Sequence, residues 1–134
     1  MSDKLAYLGP EWSVEAEKRL KEELSPERMN RITSSMVNIY KNCPDGRDKY
    51  WLVRYENGEL TGFEVGEGDP PKAEFKIIGD YEVFAKISRA EMKSQVALMT
   101  GKLKLKGNMV KALKLAAIVD RFNKVISKIP AVVY

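Results

Sequence analysis

Residues 96–119 read Val96-Ala-Leu-Met-Thr-Gly-Lys-Leu-Lys-Leu-Lys-Gly-Asn-Met-Val-Lys-Ala-Leu-Lys-Leu-Ala-Ala-Ile-Val119. Three structural signals follow one another along them. An apolar turn of helix ends at Gly101. Lys102 to Lys106 then alternates, Leu103 and Leu105 on one side and three lysines on the other, the period of a half-buried strand. Gly107-Asn108 breaks that alternation, and Asn108 is a suitable cap for a long helix rich in aliphatics and alanine. A strand with one apolar face, feeding a helix with a wide apolar stripe, needs a large apolar partner. That partner is either a filled core or a core with room for a ligand.

Working outward towards the N-terminus, the spacing predicts a helix over 91–100, with Met92, Val96 and Met99 on its apolar side, and another opening at Asp80, its expected cap, with Val83, Phe84 and Ile87. Ala73 to Ile78 alternates, with Phe75 and Ile77 opposite Glu74 and Lys76. Before it, Tyr50–Glu56 and Glu59–Gly66 flank Asn57-Gly58, a strong hairpin signal. A bare two-residue turn sets Trp51 against Glu64 and mixes the faces. A three-residue loop over 56–58 sets Trp51 against Phe63 and Val53 against Thr61, so burial favours the longer loop. A further strand carries Val37 and Ile39. Residues 11–24 form an amphipathic helix through Trp12, Ala16, Leu20 and Leu24, and Ser25-Pro26-Glu27 opens a second one. The last helix spans 108–128.

The order is helix, helix, four strands, helix, helix, strand, helix, in one domain over 1–134. Strands with one apolar and one charged face fit an α+β fold whose sheet is covered by helices on one side only. At 134 residues with 44% hydrophobic content, the chain can bury roughly 65–70% of its unfolded surface, enough for a core without staples.

Composition removes several kinds of chemistry. The chain has one cysteine, Cys43, and no histidine, so Ser-His-Asp and Cys-His nucleophilic sites are excluded, as are the usual zinc sites. No phosphate-loop or dinucleotide pattern occurs, because Gly66-Glu-Gly68 leads into Asp-Pro-Pro. No metal, no cofactor and no catalytic residue is expected. The net charge of +4 does not demand nucleic acid, and the aromatics share the apolar face instead of interleaving with the lysines, so no nucleic-acid partner is expected. With a single cysteine, no signal-like apolar run and no peroxisomal address, a cytoplasmic location is expected.

Phe75 to Leu115 resembles the sterol carrier protein type 2 lipid-transfer domain. The residues that carry the resemblance are Ala73-Glu-Phe-Lys-Ile-Ile, the helix after Asp80, and Ala97-Leu-Met-Thr-Gly-Lys-Leu-Lys-Leu-Lys-Gly-Asn-Met ahead of an Ala/Leu/Lys helix. The Tyr50-Trp-Leu-Val hairpin fits as well, so the resemblance covers about 25–130. It implies a mixed five-stranded sheet in the order 3-2-1-4-5 and a hydrophobic tunnel between sheet and helices. It also implies a non-enzymatic carrier of fatty acid, fatty acyl-CoA or sterol-like ligands. The expected lining is Trp51, Val53, Phe63, Phe75 and Ile77 from the first four strands, with Phe84, Val96 and Met99 from the middle helices. Leu103, Leu105, Met109, Leu113 and Ala116 complete it.

Lys102, Lys104 and Lys111 are first a solvated face and second a guide for a carboxylate or coenzyme-A phosphate. A transient contact with a membrane surface is the macromolecular contact expected. Two other readings stand beside the carrier: an accessory domain presenting acyl-CoA to a partner enzyme, and a structural module whose interior is filled.

Overall fold

The computed structural model describes residues 4–134. The chain runs β1 (Leu5–Ala6), α1 (Pro10–Glu23), β2 (Ser34–Lys41), β3 (Lys49–Glu56), β4 (Glu59–Glu67), β5 (Phe75–Asp80), α2 (Tyr81–Ser88), α3 (Ser94–Met99), β6 (Leu103–Lys106), α4 (Met109–Lys114), α5 (Ala116–Ser127) and β7 (Val132–Val133). Five strands form one sheet in the order β4-β3-β2-β5-β6. Numbered one to five along the chain, they give the order 3-2-1-4-5. β2 and β5 pair in parallel and the other pairs are antiparallel. The fold is α+β, with the helices on one face.

Apolar side chains explain why the layers meet. On α1, Trp12, Ala16 and Leu20 recur at helical spacing and are at most 1% exposed. The edge of Trp12 meets the ring of Trp51 at 5.1 Å. On α5, Ile118, Phe122, Val125 and Ile126 are buried, and Phe122 packs 5.2 Å from Trp51. Trp51 therefore joins sheet and helices at the centre of the core.

The hairpin departs from the expected register. Asn57 and Gly58 both have positive φ, 49° and 82°, and Glu56 pairs with Glu59, so the loop is the bare two-residue turn. The three-residue loop is wrong. Burial still decides the pairing, but through a bulge: the register shifts between Arg54 and Tyr55, and below it Val53 faces Phe63 and Trp51 faces Val65. The extra residue, Thr61, stays exposed. Inserting one residue in the strand restores the apolar match that a longer turn was expected to provide.

Other elements differ too. Ser25-Pro26 opens only one turn, because Asn30 and Arg31 enter the left-handed region with φ of 51° and 47°. The Ser25 hydroxyl oxygen still accepts from the Arg28 amide at 3.3 Å. Asp80 occupies the cap position of α2 without capping it, since its carboxylate accepts from the Asn42 side-chain amide at 2.8 Å. The 108–128 run splits at Leu115 (φ −91°, ψ 0°). Its apolar stripe has two partners: α5 seats on the core, whereas α4 buries no residue fully.

β2 presents Asn38 and Tyr40 to the helices, and Val37 lies on the other face opposite Leu52. Val37 is fully buried there because β2 is central and flanked on both sides. The uncovered face is thus charged mainly at its margins. The Tyr40 hydroxyl meets that of Tyr7 at 3.5 Å, and Tyr7 bonds Ser88 at 2.8 Å. Burial pushes both phenols up, so they stay protonated. The pairing of β1 with β7, in parallel, has no counterpart in the sequence expectations.

Candidate functional site

Where α4 and α5 part at Leu115, the helices stand off from the sheet and leave a cavity of about 500 Å³. Its floor is the covered face of β2, β3, β5 and β6, through Met36, Val53, Tyr55, Phe75, Ile77, Leu103 and Leu105. Strand register brings these together: Met36 lies between Val53 and Phe75, and Ile77 pairs with Leu105. The roof comes from α3, α4 and α5, and Met29 and Ile32 close one end. Polar groups are few, namely Ser34, Ser35, Ser94, Gln95 and the Tyr55 hydroxyl. That hydroxyl is itself buried without a hydrogen-bond partner, and burial pushes its pKa up.

The mouth is marked by exposure. Met99, Met109 and Leu113 line the cavity yet are 87%, 55% and 73% exposed. The opening therefore lies between α3 and α4. Gly101, with φ of 78°, ends α3 and turns the chain into β6. Asn108 caps α4 by accepting from the Lys111 amide at 3.1 Å. These two turns fix the rim on either side of β6.

Nine expected lining residues surround this cavity: Val53, Phe75, Ile77, Met99, Leu103, Leu105, Met109, Leu113 and Ala116. Four lie elsewhere. Trp51 is consumed by the core, and Phe63 meets it edge to face at 5.7 Å. Phe84 packs on Tyr40 at 4.3 Å. Val96 faces solvent. In a helix of six residues the apolar phase is poorly fixed by sequence; Ala97 and Leu98 turn inward instead. Leu98, Ile118, Val119 and Phe122 line the roof and were not anticipated. Tyr55 was legible as the next inward position after Val53 on β3.

The lysines separate. Lys104 pairs with Ile78 on the uncovered face, opposite the cavity, so it is not placed for a headgroup. Lys102 is exposed just ahead of β6. Lys111 sits at the rim with its Nζ 2.7 Å from Glu74, which also accepts from the Ser34 hydroxyl at 2.6 Å. The Lys111 ammonium, followed by the Ser34 bond, holds the Glu74 carboxyl below its usual range. Cys43 is buried away from the cavity, and burial pushes its thiol up, which weakens it as a nucleophile. Among the described residues, no group of three His, Cys, Asp or Glu is placed to hold a metal ion.

The profile of the SCP-2 sterol transfer family matches residues 15–120. The non-specific lipid-transfer protein-like 1 of Caenorhabditis elegans is 37% identical over 76 residues, 57% of this chain and 62% of that protein. The hydroxysteroid dehydrogenase-like protein 2 of Xenopus tropicalis is 39% identical over 87 residues, 63% of this chain but 20% of that protein. The matched part is thus about a fifth of the dehydrogenase-like relative and three fifths of the transfer protein. Among solved structures, a crystal structure of sterol carrier protein 2 superposes with a TM-score of 0.78 at 20% identity, covering 90% of this chain and 97% of that one. The palmitated form of a sterol carrier-like protein from Aedes aegypti gives 0.59 at 21% identity, covering 82% and 93%. With the profile covering most of its length, this chain belongs to the SCP-2 sterol transfer family.

Proposed function

We propose that the chain is a non-covalent carrier that shelters the apolar part of one lipid, a fatty acid, fatty acyl-CoA or sterol-like molecule, between the sheet and α3–α5. The observation that carries this reading is the size and lining of the cavity. Its apolar walls, open to solvent at the mouth, leave hydrocarbon surface facing water in the empty cavity, at a cost of roughly 25 cal/mol per Å². An apolar ligand removes that cost, and the volume lies within the usual range for small-molecule sites, about 300–1,000 Å³. The likeness to a lipid-transfer protein and to the palmitated mosquito structure favours a lipid.

In this reading the rim lysines, Lys111 foremost and Lys102 second, meet the polar end, and the ligand is exchanged in transient contact with a membrane. The lone buried thiol suits a reducing compartment such as the cytoplasm. No helix among the described residues is long and apolar enough to cross a membrane.

Native mass spectrometry of freshly purified protein tests the proposal, followed by a fatty-acid series. Affinity is expected to rise roughly fourfold per methylene, from about 0.8 kcal/mol each, until the cavity is full. Absence of co-purified lipid together with a flat series would refute it.

A second reading, presentation of the ligand to an enzyme, is favoured by the match to only a fifth of a dehydrogenase-like relative. Its test is whether the loaded chain accelerates turnover by an acyl-CoA-using enzyme more than free ligand does.

A further inference from the structure

One polar atom in the cavity wall has nothing to bond. Among the described residues, four buried side-chain polar atoms lack a hydrogen-bond partner: the indole nitrogens of Trp12 and Trp51, the Asn38 amide oxygen and the Tyr55 hydroxyl. Of these four residues only Tyr55 lines the cavity. The two serines of the same wall are already engaged. Ser34 donates to the Glu74 carboxylate at 2.6 Å, and Ser35 accepts from the Glu74 backbone amide at 2.8 Å.

Tyr55 stands far from the mouth. In the order β4-β3-β2-β5-β6 its strand is three places from β6, about 14 Å across the sheet at about 4.8 Å per strand. The mouth lies on the other side, between α3 and α4, the helices that flank β6 in the chain. The segment that closes the far end is tied down beside Tyr55, where the Ile32 carbonyl accepts from the Gly58 amide at 2.8 Å. Tyr55 is 4% exposed, and burial keeps its phenol protonated, so it offers one donor and one acceptor. Leaving that hydroxyl dry and unpaired costs free energy. Phenylalanine would pack the same ring without the cost.

We infer that the cavity selects an acyl chain oxygenated at its buried end, with the Tyr55 hydroxyl bonded to a hydroxyl or keto oxygen at or near the ω carbon. The inference rests on the carrier reading and narrows its ligand class. The buried oxygen is neutral, because a carboxylate carried to Tyr55 would meet no cation and lose its water. The acid end stays at the mouth, beside Lys111 and Lys102. A plain fatty acid satisfies the mouth alone, and a sterol with a single hydroxyl satisfies one end alone; an ω-oxygenated acid satisfies both. Met29 and Met36 line this part of the cavity, and their unbranched side chains can shift to admit the oxygen.

The test compares palmitate with ω-hydroxypalmitate on the full chain, by displacement of a fluorescent fatty acid. In an all-apolar pocket the extra hydroxyl would weaken binding at least tenfold. The unmodified chain should instead hold ω-hydroxypalmitate at least as tightly as palmitate. Tyr55→Phe should lower the ratio of the two affinities about tenfold, with the thermal midpoint of the empty chain level or raised, a selectivity change that loss of packing alone would not produce. A tenfold preference of the unmodified chain for palmitate would overturn the inference and leave the carrier reading standing. So would an equal weakening of both acids in Tyr55→Phe, which would put the acid end at Tyr55. Binding of neither acid would remove the carrier reading and this inference with it.

Discussion

Ala116→Phe separates an open cavity from a filled core. Ala116 opens α5 and lines the roof, so a benzyl group there enters the space now free. Burying a phenylalanine side chain contributes about 1.5–3 kcal/mol, less about 0.5 kcal/mol of helix propensity relative to alanine. The ligand-free variant should therefore be more stable by about 1–2 kcal/mol, a rise of about 3–8 °C in Tm for a chain of this size. The same ring occupies the place of about four methylenes of a bound tail, about 3 kcal/mol at 0.8 kcal/mol each, so palmitate should bind roughly 200-fold more weakly. Ala117→Phe, at an exposed position outside the lining, should lose only the propensity difference of about 0.5 kcal/mol and keep the parent's palmitate affinity. Thermal unfolding with and without palmitate, with displacement of a fluorescent fatty acid, reads both effects. A loss of more than about 2 kcal/mol would mean the ring meets a filled core, and palmitate affinity within threefold of the parent would place the tail elsewhere; either result refutes the reasoning.

Tyr55→Phe removes a buried hydroxyl that has no partner, so stability should stay level or rise by up to about 1 kcal/mol in urea unfolding; a clear loss would show that the hydroxyl is bonded in solution. Gly58→Ala should cost about 2–4 kcal/mol in the same assay, because φ is +82° and the new methyl would lie 2.5 Å from the Pro26 carbonyl oxygen and 2.7 Å from its Cα. Glu74→Gln should cost less than about 1 kcal/mol at neutral pH, since its ion pair with Lys111 is well exposed. The folded-state pKa of Glu74 is depressed, so this stabilisation is present above the unfolded-state pKa and fades as pH falls through the folded one. Melting curves of parent and variant should therefore differ at pH 7 and converge in acid, once the pH lies below the folded-state pKa of Glu74.

Periodicity revealed the elements whose faces see one environment. α1 and the run Leu103–Leu105 were legible because each buries a single continuous stripe, and the alternation of β3 was legible although Leu52 is buried on its other face. Where one stripe serves two partners, the pattern misled. The 108–128 stripe packs on the core through α5 and borders a cavity through α4, and nothing in its spacing marks Leu115. The covered face of β2 was obscured for another reason: its Asn38 is buried, and its Val37 is sealed by neighbouring strands on the side expected to be wet. At the site, strand residues were easier to place than helical ones. A strand has two faces to choose between, whereas the six residues of α3 leave the choice among Val96, Ala97 and Leu98 to packing.

The parallel pairing of Leu5 with Val132 and of Ala6 with Val133 brings both ends of the described chain to one spot, and neither strand contributes to the cavity wall. Parallel pairing sends the entering and the leaving chain in opposite directions from neighbouring points, so this unit has its two ends close in space. It can hang from, or be spliced into, a larger polypeptide through one attachment point without strain on its sheet. Such an attachment would join the chain at residues outside the cavity wall.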